Sequence, residues 1–285
     1  MTDCEETKMK NELFKIGSLT IHGYGLMIAI GIITAYIVLE KRAKRKGFDP
    51  DNAFDIAMWA ALGGALGATL LYYIVEIRSI IENPKLLLNV ANGFVVYGGI
   101  IGGSICCIIY CRVKKLNTLQ WFDLVLPEIA IAQGFGRIGC LLAGCCYGAP
   151  TTGSIHITFT ESLFAPNNVW LYPTQIMSSA ANFLNFLVLV FVIPRFFKKP
   201  GQVSAFYLIF YSVGRFIIEI FRGDIERGAV GALSTSQFIS IFIFAAGVAL
   251  FILCTKFSVF PAPESAEQTE AAEQAETTDT KEVDE

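Results

Sequence analysis

The chain has 285 residues, 54% of them hydrophobic and only 16% charged, with a mean hydropathy of +0.54. Soluble domains carry roughly a quarter charged residues, so this composition, blocked into long apolar runs, excludes an ordinary soluble enzyme and points to a polytopic membrane protein. The net charge of −3 is unevenly placed: residues 261–285 hold nine acids against one lysine, which leaves the remainder net positive, as suits anionic lipid headgroups.

In chain order, residues 1–20 contain no apolar h-region, so no cleavable signal peptide is expected and they read as an external N-terminal segment. A spanning helix needs about 20 mostly apolar residues. Seven stretches qualify: 22–40, 53–75, 93–111, 119–141, 173–193, 203–221 and 235–255, the fourth and sixth being the most polar. KRAKRK follows the first, RVKK the third, RFFKK the fifth and Lys256 the seventh, whereas the opposite loops hold only Arg78, Lys85, Arg222 and Arg227. That cation bias puts the N-terminus outside and the C-terminus in the cytoplasm. The expected fold is an all-α bundle of about seven transmembrane helices over residues 21–257. An acidic tail, 258–285, has too few large apolar side chains to offset its ordering entropy and is expected to be disordered.

Within the spans, Gly63 and Gly67, Gly98 and Gly102, and Gly99 and Gly103 are small-xxx-small pairs that allow close helix approach in lipid. Cys106, Cys107, Cys111 and Cys254 lie in apolar segments, where cysteine packs as a small hydrophobe, and Cys4 is in the polar N-terminus. Cys140, Cys145 and Cys146 form the one cluster with a chemical look, but the spacing lacks an evident fourth ligand, His156 being the nearest histidine. Packing is the favoured reading of these three, and neither a metal nor a cofactor is expected.

Ionisable groups inside spans are functional candidates by default. In the sixth span, Tyr211, Arg215, Glu219 and Arg222 are spaced i, i+4, i+8, i+11 and share one helical stripe. Glu219 can pair with both Arg215 and Arg222. Arg137 is a third arginine near the outer surface, in GFGRIGCLLAGCCYG. Three guanidinium groups for one acid suit a phosphate, because each offers a rigid fork of donors and a permanent charge. Tyr24, Tyr97 beside Gly98 and Gly99, Gln175 in YPTQ and Gln237 in STSQF complete the polar inventory.

These elements together resemble the bacterial prolipoprotein diacylglyceryl transferases. GRIGCLLAGCCYG is similar to that family's GRIGN signature, YGLMIAIG to its first span, VVYGGIIGG to its HGG-type element, YPTQ to its HPxQ element and YSVGRFIIEIFR to its sixth-span motif. The resemblance implies a multi-pass enzyme of the bacterial cytoplasmic membrane. It would move the diacylglyceryl group of phosphatidylglycerol onto the lipobox cysteine of a prolipoprotein as a thioether, releasing glycerol phosphate, with no nucleic acid involved. By motif position, Arg137, Arg215, Tyr97 and Tyr211 are assigned to catalysis, and Tyr24, Gly98, Gly99, Gly148, Gln175, Glu219 and Arg222 to substrate binding. Tyr97 stands where the family has histidine, Cys140 where it has asparagine, and Cys145 where it has glutamate. The rival readings are a non-catalytic phospholipid-binding or transport homologue and a membrane thiol-redox protein built on the cysteine cluster.

Overall fold

A computed structural model describes residues 12–16, 19–83, 94–223, 229–231 and 233–256. Cys4, Lys85, Arg227 and the acidic tail lie outside the described residues. Among the described residues, seven helices are long and apolar enough to cross a membrane, spanning Gly23–Arg45, Pro50–Val75, Val96–Val113, Thr118–Ala143, Thr174–Phe196, Gln202–Ile220 and Thr235–Lys256. The protein is therefore a multi-pass, all-α membrane bundle. The described residues divide into two compact units, one holding those up to Val38 together with those from Phe122 to Lys256, the other those between Leu39 and Trp121.

The second unit begins with the C-terminal end of α1 (Gly23–Arg45), which continues beyond the expected end of the first span. Lys41 to Arg45 are helical and not a loop, because Lys and Arg are good helix formers and Lys44 pairs with Glu40 at i, i+4, 2.6 Å. Gly47, at φ 75°, turns the chain. Asp49 then caps α2 (Pro50–Val75) by accepting from the Asp51 amide at 2.9 Å. A short α3 (Ile77–Glu82) follows, and α4 (Val96–Val113) packs along α2. Glycines form this seam: a Cβ on Gly67 would meet the Gly98 carbonyl oxygen, and one on Gly63 would meet Cys106 Sγ. The small-residue pairs thus let the two backbones touch. Tyr110 closes the far end, its hydroxyl donating to Asp55 Oδ2 (2.7 Å) with Asn52 Oδ1 also 2.8 Å away.

In the first unit, the antiparallel hairpin β1 (Glu12–Ile16) and β2 (Leu19–His22) leads into the start of α1. From Phe122 onward, α5 (Thr118–Ala143) belongs here. Its Asp123 accepts from the Gly201 amide and from both the amide and hydroxyl of Ser204, at 2.7, 2.7 and 2.6 Å. A buried carboxylate on one helix so satisfies the open N-terminal amides of α8 (Gln202–Ile220). Between them, α6 (Thr174–Leu187) widens into a π turn at Val188–Val192 before α7 (Ile193–Phe196), because Pro194 cannot donate to the preceding turn. Ala130, Leu189, Ile193, Val203 and Tyr207 form the core of this region. After a two-residue pairing of β3 (Ala229–Val230) with β4 (Leu233–Ser234), α9 (Thr235–Lys256) packs on α8. Residues 144–173 make a small head around Phe159, Ala165 and Leu171.

Candidate active site

Arg137, Tyr211 and Arg215, drawn from α5 and α8, line one cavity. The side chains completing it come from α6: Ser178, Ala181, Asn182 and Asn185. The sequence reading missed these. Their signal was nevertheless present, because Gln175, Ser178, Ser179, Asn182 and Asn185 follow helical spacing and put a polar stripe on a membrane helix. The stripe is anchored by Ser179, which donates to the Gly134 carbonyl of α5 at 3.0 Å, and Ser178, which donates to Thr174 O at 2.6 Å. Asn185 is buried, and its Oδ1 has no hydrogen-bond partner among the described residues.

The expected stripe is present as an ion-pair ladder, with Tyr211, Arg215 and Glu219 on α8 and Arg222 just past its end, where it bridges to Gly148 instead of continuing the helix. Arg215 Nη1 lies 2.7 Å from Glu219 Oε2, and Arg222 Nε is 3.8 Å from the same oxygen. All three side chains are largely buried, so the carboxylate is needed to keep two guanidinium groups tolerable there. Arg215 Nη2 also donates to Ser236 Oγ (2.7 Å), and Ser234 Oγ donates to Glu219 Oε1 (3.1 Å), so the start of α9 fixes the ladder from the other side. Gln237 serves this corner locally, accepting from the Ser234 amide. Arg137 is half-buried and has no carboxylate partner among the described residues. Tyr211 stacks on Tyr207, whose hydroxyl donates to Gln133.

The cysteine turn follows α5. Gly144, in the left-handed region at φ 71°, ends the helix, and the amides of Gly144 and Cys145 return to the carbonyls of Leu141 and Cys140 at 3.1 Å each. These two bonds make a Schellman cap. Cys146 is also left-handed, at φ 59°. Gln175 and Thr174 then hold the turn from α6: Gln175 Nε2 donates to Cys145 O and Thr174 Oγ1 to Cys146 O, each at 3.0 Å. Gln175 is therefore fully buried and engaged with backbone. The three sulfurs of Cys140, Cys145 and Cys146 lie within 4.8 Å of one another. Hydrogen bonds from Cys140 and Cys145, and then the charges of Arg222 and Arg137, hold the Cys146 thiol well below the usual range. Cys145 is pushed up, first by its hydrogen bond with Cys140. His156 does not join the trio; it stacks on Trp170 with centroids 4.1 Å apart.

The other predicted positions are placed as follows. Gly148 bridges to Arg222 in antiparallel fashion, and a Cβ there would meet the Tyr172 backbone, so only glycine fits. Tyr24 lies against Gly139 of α5, where an added Cβ would come within 3.1 Å of its ring. Tyr97, Gly98 and Gly99 open α4 in the other unit. Gly98 and Gly99 both face α2 across the glycine seam.

Residues 11–253 match the prolipoprotein diacylglyceryl transferase family. A Clostridium tetani protein named phosphatidylglycerol–prolipoprotein diacylglyceryl transferase is 51% identical over 243 residues, 85% of this chain and 97% of its own length. A second enzyme of that name from Clostridium perfringens is 46% identical, covering 85% of this chain and 94% of its own. A Finegoldia magna relative is 35% identical over 87% of this chain and 97% of its own. This chain belongs to the prolipoprotein diacylglyceryl transferase family.

Proposed function

We propose that this protein transfers the diacylglyceryl group of phosphatidylglycerol to the lipobox cysteine thiol of a prolipoprotein. The observation carrying the reading is the convergence of Arg137 and Arg215 on one cavity with Tyr211 and Asn185. Arg137 and Arg215 hold the lipid phosphate. As the glyceryl carbon–oxygen bond breaks, their fixed donors stabilise the charge gathering on the departing glycerol phosphate. The acceptor thiol gives its proton to solvent, and its sulfur lone pair forms the new carbon–sulfur bond. Glu219 and Arg222 hold Arg215 in position, Tyr24 and Tyr211 line the reaction space, and Gly148 lets the head approach Arg222. On motif position, Tyr97 supplies a hydroxyl where relatives of the usual pattern carry imidazole. With the N-terminus outside, the cysteine turn that ends α5 faces the exterior, where exported lipoprotein precursors arrive.

Complementation tests this. Expressed in a bacterium depleted of its own transferase, the chain restores thioether-linked lipid on a reporter lipoprotein. If the chain inserts in the membrane and the reporter remains unmodified, the reading fails in favour of a lipid-binding homologue.

A further inference from the structure

We infer that Cys140, Cys145 and Cys146 form a three-thiolate zinc site whose fourth position takes the acceptor thiol, an inference that rests on the transferase reading above. Three observations carry it. The sulfurs already converge within 4.8 Å, and tetrahedral zinc with bonds of about 2.3 Å needs them roughly 3.8 Å apart. The ion needs to draw the sulfurs together by no more than about 1 Å. The backbone is also built for convergence. Cys146 occupies a left-handed conformation that costs a non-glycine residue of order 1–3 kcal/mol, and Thr174, Gln175 and the Schellman cap hold it there. A residue merely filling space would adopt this backbone more cheaply as glycine or asparagine.

The third observation is the ligand count. Among the described residues no histidine, carboxylate or further cysteine joins the trio. Three protein ligands with one position open is the arrangement of catalytic zinc, whereas structural zinc is closed by four. Cys145 and Cys146 are half-buried, so an incoming peptide can reach them. Charge agrees as well. Zinc with three thiolates carries one net negative charge, and becomes more negative when a fourth thiolate binds. Arg137 lies one turn before Cys140 on α5, and Arg222 is bridged to Gly148 just beyond Cys146.

The chemistry meets the reaction's main difficulty. A free thiol with a pKa near 8.5 is only a few per cent thiolate at neutral pH, and zinc deprotonates a coordinating thiol outright. The acceptor cysteine binds zinc and releases its proton to solvent. Its sulfur lone pair attacks the glyceryl carbon, and the carbon–oxygen electron pair leaves with the phosphate oxygen. The neutral thioether is a weak ligand, so it departs and the fourth position reopens. No electron changes hands with zinc.

The test uses the full chain purified in detergent from zinc-replete cells, with metal content read by mass spectrometry. About one zinc per chain is expected, retained in Cys254→Ser and largely lost in Cys140→Ser, Cys145→Ser and Cys146→Ser. Thr174→Val, which removes the hold on the turn, weakens zinc binding about 10–100-fold. In cobalt-substituted protein, a lipobox peptide shifts the visible absorption bands, and the same peptide with serine for cysteine does not. Wild-type protein without zinc, or cobalt bands unmoved by the cysteine peptide, overturns the inference. So does undiminished transfer by zinc-stripped protein, which leaves the transferase reading standing. Zinc and a cysteine-specific cobalt response without any thioether product supports the site and defeats that reading instead.

Discussion

Arg215 and Glu219 meet at 2.7 Å one turn apart on α8, and the same carboxylate faces Arg222 at 3.8 Å. Because two largely buried cations share this acid, removing the acid is expected to be worse than removing either arginine. Glu219→Gln is expected to destabilise the protein by about 3–5 kcal/mol, the usual cost of leaving a buried charge uncompensated. Thermal unfolding in detergent reads this. If Glu219→Gln proves as stable as the parent, the ladder is solvated and does not order the site.

Arg137 poses a different question, because no carboxylate among the described residues occupies its guanidinium. Its role is toward ligand. Arg137→Lys keeps the charge and loses the two-pronged fork, so kcat/KM should fall about 10–100-fold, the equivalent of one charge-assisted hydrogen bond. Stability should stay near that of the parent. Transfer by Arg137→Lys at the parent rate would remove this arginine from the phosphate site.

Much of this was legible in the sequence, for identifiable reasons. The seven spans follow from hydropathy, which is set by the bilayer's thickness, and the α8 stripe follows from helical periodicity alone. The glycine seam between α2 and α4 was readable because small-xxx-small spacing has one main use in lipid. Helix ends were less legible. The basic run Lys41–Arg45 marks the membrane boundary by charge, yet the helix continues through it, since leaving the bilayer does not require leaving the helix. Residues on α6 were overlooked because Ser and Asn are uncharged and read one at a time as packing. The meeting of Cys140 with Cys145 and Cys146 depends on two left-handed residues and on carbonyl bonds from Thr174 and Gln175, some 30 residues further on. No local pattern encodes that.

Asn185 supplies the next prediction. Asn185 lines the arginine cavity and its buried Oδ1 has no donor among the described residues, so a hydroxyl of the lipid's glycerol headgroup is the partner expected for it. Asn185→Leu should raise the apparent KM for phosphatidylglycerol about 5–10-fold with little change in kcat, as expected for one neutral hydrogen bond made equally in ground and transition states. It should not lower stability, since it also removes an unsatisfied buried oxygen. An unchanged KM would mean that the headgroup lies elsewhere.

The acidic segment 261–285 has a composition with almost no large apolar side chains. Truncation after Val259 is expected to leave turnover of a lipobox peptide intact, because the orientation expected from the cation bias of the loops puts the tail across the membrane from an external acceptor. A well-inserted but inactive truncation would assign the tail a regulatory role.

Gly98 separates packing from lipid contact in the other unit. A Cβ at this position would meet the Gly67 carbonyl oxygen and come within 2.6 Å of Leu71 Cβ, so α2 and α4 must part to admit it. Gly98→Ala should therefore cost about 1–3 kcal/mol, the range for forcing extra volume into a packed seam. Gly136 of α5 is the contrast, with nothing within 4 Å of an added Cβ. There alanine removes only backbone freedom and should stabilise the helix by about 0.5–1 kcal/mol. If Gly98 only packs, Gly98→Ala loses transfer in proportion to its folded fraction, and the rate per folded molecule is unchanged. A well-folded Gly98→Ala with depressed kcat would restore this glycine to the substrate site and place the lipid against the first turn of α4.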